Sequence, residues 1–351
     1  MMDAAGSDLD IPNDVQCFPL SDKMSCVRWI PNLMEDEHFF VTGSWGNKVN
    51  AVYLWNLVHD ELTDGESDVP LVLKSMAKFG VAGDVVGLGF IDDTNLISVT
   101  SEGTLSVLDL NRESALSYDF THKFNMHDLH TVDGRQSVCS TMAVSNIDQC
   151  IVTGGEDGTV NIISGNEGKV IDTIQHPDNS SISCISYIYP NIIVTGRHCG
   201  LLNVYDTRQD CSKPSASVET CHKDDHEMNV PMCINYLPKH TMAHIFVGLE
   251  NGSLIDCDVR FPDKASYEFG EHSEPITDIQ FSSRENTMYS ADAGGKVIEW
   301  SLSKITNLFG YYVKKKHTRM QDFKAINSID VNARQMICCG DAEMLYMIDL
   351  W

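Results

Sequence analysis

Positive charge is scarce in this sequence. Only 25 Lys and Arg stand against 50 Asp and Glu in 351 residues, a formal net charge of −25. Such a surface repels phosphate backbones and anionic lipids, which excludes nucleic acid and membrane as the main ligands. Long apolar runs are missing as well. None approaches the ~18 residues that span a bilayer, so direct membrane insertion is not expected. Met1 to Asp14 is polar and acidic and lacks the basic start and apolar stretch of a secretory leader. The twelve cysteines are scattered, with no C-x-x-C pair. Several stand in apolar runs (Cys150, Cys184, Cys233, Cys338) and read as small hydrophobes of a reducing compartment. There is no G-x-x-x-x-G-K-[ST] and no G-x-S-x-G, and Gly165-Asn166-Glu167-Gly168-Lys169 opens no helix and reads as a turn.

Charge is also unevenly spread. Residues 1–70 hold thirteen acidic and three basic side chains, whereas Lys314, Lys315, Lys316, Arg319 and Lys324 face Asp322 alone. A three-lysine run can serve as a nuclear import signal, but it reads more readily as a solvated strand edge or loop.

What is abundant is repetition. A short apolar strand, a polar turn and a second apolar strand recur seven times. The copies end at Asn56, Asp109, Ser164, Asp206, Asp258, Ser301 and Asp349, spaced 53, 55, 42, 52, 43 and 48 residues apart. That is near the ~40–45 of WD repeats, with loop insertions. Gly103, Gly158, Gly200, Gly252 and Gly295 each stand six residues before a copy's end. They supply the positive φ that tight hairpins need. Two copies depart: the first has a longer turn, Gly43 to Asn50, and the seventh has Glu343 where glycine is expected. Each copy has a further strand upstream, and most have a looser one downstream.

Seven four-stranded units make an all-β, seven-bladed WD40-type β-propeller. The last blade lacks an outer strand, which Val15-Gln16-Cys17-Phe18 can supply, so the ring is closed by an N-terminal strand pairing into the last blade. One propeller domain, residues 14–351, behind an acidic flexible tail, residues 1–13, is the expected organisation. Blade six keeps three side chains of the WD hydrogen-bond network, His272, Ser290 and Trp300, while Gly294 replaces the turn Asp. A truncated, less rigid network is expected there.

Two terminal stretches narrow the reading: Arg28-Trp29-Ile30-Pro31 with Thr42-Gly43-Ser44-Trp45-Gly46-Asn47 and Leu54-Trp55, and Cys339-Gly340-Asp341-Ala342-Glu343 with Leu345-Tyr346. Together with Gly155-Glu156-Asp157-Gly158, and with Asp206 to Arg208 and Asp258 to Arg260, they resemble the WD-repeat scaffold nucleoporins of forty-three kilodaltons. These belong to the Y-shaped outer-ring complex of the nuclear pore. The resemblance implies a non-enzymatic propeller, monomeric within a hetero-oligomer, that docks on an α-solenoid nucleoporin. It implies roles in pore assembly, protein import, messenger RNA export and, in animals, kinetochore attachment. A competing reading is a substrate receptor of a cullin-type ubiquitin ligase, resting on Arg208 and Arg260 in Asp-x-Arg.

Neither a metal nor a cofactor is expected. Cys211, Cys221, His222 and His226 carry ligand-type atoms but read as surface loop, as do His122, His127 and His130. For partner binding the candidates are Trp45, Asn47 and Lys48, in the long turn on the top rim of blade one. If Trp45 is an exposed anchor there, Trp45→Ala should weaken partner binding without lowering the melting temperature.

Overall fold

The computed structural model describes residues 12, 14–33, 37–59, 71–114, 117–176, 178–220, 229–237, 244–261, 267–282, 286–304 and 311–350. Seven four-stranded antiparallel sheets stand around an axis. Their inner strands are Met24–Trp29, Val85–Phe90, Cys139–Ser145, Ile182–Tyr189, Pro231–Tyr236, Ile276–Phe281 and Ile326–Val331. A short hairpin, Thr131–Val132 with Arg135–Gln136, precedes blade three. Blade seven takes its outer strand from the start of the chain. Val15–Pro19 pairs antiparallel with Met344–Asp349, with Val15 opposite Ile348 and Phe18 opposite Leu345. The expected closure is therefore present, while residues 1–11 and 13 of the acidic tail lie outside the described residues.

The second and third strands are covered on both faces by neighbouring blades. Phe39–Ser44 and His244–Leu249 are buried at every position, so they read as apolar runs and not as alternating strands. The core is accordingly divided into seven clusters, one at each joint between successive blades.

The turn glycines behave as expected, with one refinement. Gly103, Gly158, Gly200, Gly252 and Gly295 all have φ between 65° and 85°, but the residues before them do not have positive φ. Each glycine N–H bonds back three residues, as Gly158 does to Gly155 O (3.1 Å). The loops are thus type I turns closed by one left-handed residue, rather than two-residue turns with two such residues. Glu343 adopts φ 56° and keeps the same geometry in blade seven. A Cβ at Gly158 would lie 2.8 Å from the backbone of Asn179, in the connection to blade four, whereas at Gly103 nothing comes nearer than 3.4 Å. Gly158→Val should therefore cost about 3 kcal/mol, from strain and from collision. An unchanged denaturant midpoint would show that the turn is not of this type.

One device recurs in all seven blades. Every inner strand bulges at its second residue: Ser25, Val86, Ser140, Ser183, Met232, Thr277 and Asn327. A bulged residue loses its ladder partner and can turn its side chain elsewhere. Five of the seven use it to donate a hydrogen bond to the first carbonyl of the next blade's inner strand. Ser25 reaches Val85, Ser140 reaches Ile182, Ser183 reaches Pro231 (2.6 Å), Thr277 reaches Ile326 and Asn327 reaches Met24 (3.0 Å). Val86 and Met232 have no group to give, so the joints between blades two and three and between five and six lack this bond.

Buried polar networks replace apolar packing at the top of several blades. In blade six His272 Nδ1 lies 2.6 Å from Asp292 Oδ2 and Nε2 lies 2.6 Å from Ser290 Oγ, to which Trp300 Nε1 donates (2.8 Å). The expected truncation is wrong here: Asp292, two residues before the position of Gly294, restores the fourth member. Blade three has the counterpart in His130, Asp157 and Thr153 (His130 to Asp157 Oδ1 3.1 Å, to Thr153 Oγ1 3.0 Å). His130 is 0% exposed and is no solvated loop residue.

Blade four holds a rewritten version, with Arg197, paired to Asp178, where blade six has Asp292. Burial, helped by the charge of Arg197, pushes the His176 imidazole down to about 4. The folded state then holds fewer protons on His176 than the unfolded chain between about pH 4 and pH 6.5. Its contribution is full above pH 6.5 and is lost as the pH falls toward 4. His176→Phe should flatten the pH dependence of the melting temperature in that window, and an identical slope for both proteins would refute this.

Candidate partner-binding surface

The turn singled out in blade one runs from Trp45 to Val49 between the strands Phe39–Ser44 and Asn50–His59. It is tied down through Asn50, whose buried amide bonds Asn47 O (3.2 Å), Gly83 O (3.1 Å) and Asp84 Oδ1 (2.9 Å). Gly46, at φ 75°, donates its N–H to Asp84 Oδ1 (2.7 Å). On the other side Asn47 Nδ2 donates to Asp22 Oδ1 (2.8 Å). Tyr53 OH also donates to Asp22, and that bond holds the Asp22 carboxyl below the usual carboxylate range. The loop is longer than its six counterparts yet anchored to the connections on both flanks.

Trp45 is half-buried. Its ring lies beneath Lys23, with Nζ 5.3 Å from the centroid, and its enclosed Nε1 meets no acceptor among the described residues. Asn47 and Lys48 are exposed, and Val49 is 70% exposed. The three candidates are thus adjacent in one ordered loop. The residue that sequence reasoning missed is Val49, an aliphatic side chain at the tip of an otherwise polar turn. Lys23 and Lys78 lie over the rings of Trp45 and Tyr53.

The Asp-x-Arg guanidinium groups are folded onto their own carboxylates. Arg208 reaches Asp206 through Nε (2.8 Å) and Nη2 (2.7 Å), and Arg260 reaches Asp258 through Nε (2.9 Å) and Nη2 (2.6 Å). They serve the turns in which they stand.

The axial channel has a volume of about 510 Å³ and is lined by all seven inner strands. Sequence reasoning found no shared carboxylate character there, but Asp278 and Asp330 both approach Arg28. Arg28 Nη1 donates to Ser328 Oγ (2.9 Å) and lies 3.7 Å from Asp278 Oδ2, while Asp278 Oδ2 accepts the Ile329 N–H (3.1 Å). Asp330 Oδ2 accepts the N–H of Trp29 (2.7 Å). Burial pushes both carboxyls up, against the pull of Arg28. Each carboxylate accepts an N–H of the next blade, so the cluster stitches blades six, seven and one.

Cys221, His222 and His226 lie outside the described residues. His122 stacks on Phe79 at 5.6 Å and His127 contacts Thr104, both apart from buried His130. Among the described residues no group of three or more His, Cys, Asp or Glu could hold a metal, and no helix is long and apolar enough to cross a membrane. The described cysteines are all unpaired, and burial raises the thiols of Cys139 and Cys184 to about 12, which leaves them protonated. Cys150 and Cys233 are half-buried rather than fully enclosed.

The family model described as "WD domain, G-beta repeat" matches residues 126–164, the stretch that contains His130 and Asp157. The chain is 25% identical to the human protein named Nucleoporin Nup43 over 294 residues, 81% of this chain and 75% of that protein. It is 24% identical to the mouse protein of the same name over 295 residues, again 81% and 75%. It is 23% identical over 233 residues to the Dictyostelium discoideum "Nuclear pore complex protein nup43", 60% of this chain and 54% of that one. The resemblance seen in the terminal stretches therefore extends through most of the propeller.

Proposed function

We propose that this WD-repeat propeller, similar over most of its length to the Nup43 nucleoporins, is a structural, non-enzymatic subunit of the nuclear pore complex. It docks as a single propeller on an α-solenoid nucleoporin of the Y-shaped outer ring at the nuclear envelope. There it supports pore assembly and nucleocytoplasmic transport, both protein import and messenger RNA export, with kinetochore attachment as its mitotic counterpart. The observation that carries this reading is the similarity to the human relative along 81% of the chain. Hydrogen bonds from one blade to the next, together with buried networks inside blades three and six, support it as the build of a rigid scaffold.

Within this reading the rim loop of blade one is a docking element. Lys48→Glu and Val49→Glu alter exposed atoms only, so each should weaken partner binding about tenfold with an unchanged melting temperature. Trp45→Ala removes half-buried packing as well and should lower both affinity and melting temperature. Unchanged affinity in all three variants would move the docking face elsewhere.

The test of the whole reading is purification of the tagged protein from interphase nuclear-envelope extract, with stoichiometry by quantitative mass spectrometry. Recovery of outer-ring subunits near one-to-one is expected. Recovery of ubiquitin-ligase subunits, or of no stoichiometric partner, would leave only the propeller standing.

A further inference from the structure

The most concentrated basic stretch of this acidic chain stands on an exposed sheet edge. Blade six ends in Tyr311–Gln321, an eleven-residue outer strand paired on one side only, with Lys296–Lys304. Lys314, Lys315, Lys316 and His317 are consecutive and exposed on it. Lys316 is paired with Glu271, while Lys314 and Lys315 meet no carboxylate among the described residues. The ladder shifts register at Lys314 and again at Arg319, so another strand cannot simply extend it. A chain bound along this edge is held by side-chain charge.

The strand leads into the turn that joins blade six to blade seven. There Phe323 is 68% exposed, beside exposed Lys324. The turn itself is fixed. Asp322 is buried, donates its N–H to Gly295 O (2.9 Å), accepts the hydroxyl of Tyr346 and accepts the N–H of Phe323 (2.6 Å). Gln321 Nε2 donates to Gly294 O (2.7 Å). A single exposed apolar side chain is ordinary on any surface. This one is held in place by buried groups, at the end of the basic edge. Lys315 and Phe323 are eight residues apart, at most about 26 Å of strand.

We propose that this edge and turn bind a short, extended, acidic segment of a partner protein, with its carboxylates on Lys314 to Lys316 and an apolar side chain at one end on Phe323. About eight residues of extended chain cover the span. Charge complementarity selects this occupant. The rest of the chain carries a large acidic excess, so a short acidic segment is attracted at this edge and repelled elsewhere. A nucleic acid would carry its phosphates past the edge and over that acidic surface, which disfavours it. The inference is independent of the nuclear pore reading and of the rim loop in blade one.

Fluorescence anisotropy on the full chain at low ionic strength tests it, with labelled peptides of seven glutamates and a leucine at either end. Saturable binding is expected, at least about tenfold tighter than with glutamine in place of glutamate and at least about tenfold weaker in ~0.5 M salt. K314E/K315E should lose about tenfold with an unchanged melting temperature, since both side chains are exposed. F323S should lose about threefold for the tighter of the two leucine peptides and nothing for its serine counterpart. No saturable binding, or binding that K314E/K315E leaves unchanged, would overturn the proposal. So would tighter binding of a single-stranded oligonucleotide of equal charge, or an F323S protein that binds the leucine peptide as the intact one does.

Discussion

Deleting residues 1–19 should abolish cooperative folding, whereas deleting residues 1–11 should leave the melting temperature within about 2 °C of the intact chain. The difference between the two is the strand Val15–Pro19. Val15 and Phe18 are its two buried residues, and they belong to different core clusters. Phe18 packs with Met24, Phe40 and Leu345 at the joint of blades seven and one, and Val15 with Tyr289 and Ile348 at the joint of six and seven. Losing both removes about 4 kcal/mol of apolar burial. It also exposes the edge of Met344–Asp349, whose backbone groups then lack ladder partners. Together these approach the whole stability of an ordinary domain, roughly 5–15 kcal/mol. Thermal unfolding by circular dichroism reads both deletions. A cooperative, near-native melt of the longer deletion would mean that the ring does not depend on this strand.

Asp292→Ala should cost about 3 kcal/mol, although it removes no catalytic or exposed group. Asp292 is 1% exposed. Its Oδ2 faces His272 Nδ1, and its Oδ1 accepts the N–H of Lys296 (2.8 Å) at the turn beside Gly295. Alanine leaves buried His272 Nδ1 and the half-buried N–H of Lys296 without this partner, which costs more than the lost bonds themselves. Asp292→Asn keeps an acceptor and should lose about half as much. Chemical denaturation of both variants measures this. A loss below about 1 kcal/mol for alanine would show that the four side chains do not act as a closed network.

The architecture was readable because its cause is local and repeated. A fixed six-residue interval from turn glycine to strand end marks five of the seven hairpins, and strands covered on both faces give uninterrupted apolar runs such as Phe39 to Val41. What escaped notice depends on distances that sequence spacing does not encode. Asp292 replaces a turn aspartate from two residues upstream, where a carboxylate at the end of a strand carries no signal of its own. His130 stands nine residues before its strand, beyond an inserted hairpin, and so read as loop. The inter-blade bonds involve Ser, Thr and Asn at one position, which only the register reveals as equivalent. Arg28 and Asp278 are 250 residues apart and meet only once the ring is closed. For the rim loop, length and residue types were legible, but the cover of Lys23 over Trp45 and the exposure of Val49 were not.

Pairing of Val15–Pro19 with Met344–Asp349 also sets a timetable. A ribosome adding about 5–20 residues per second needs roughly 16–65 s to pass from Pro19 to Met344. Through that interval the strand Val15–Pro19 has no ladder partner, and Phe18 meets only the blade-one part of its cluster, Met24 and Phe40 among it. Six blades can assemble behind it in order, but the seventh waits for the final hairpin. The slowest contact of this ring is thus fixed by translation rather than by diffusion, and within the ring Val15–Pro19 is the strand that must be shielded longest.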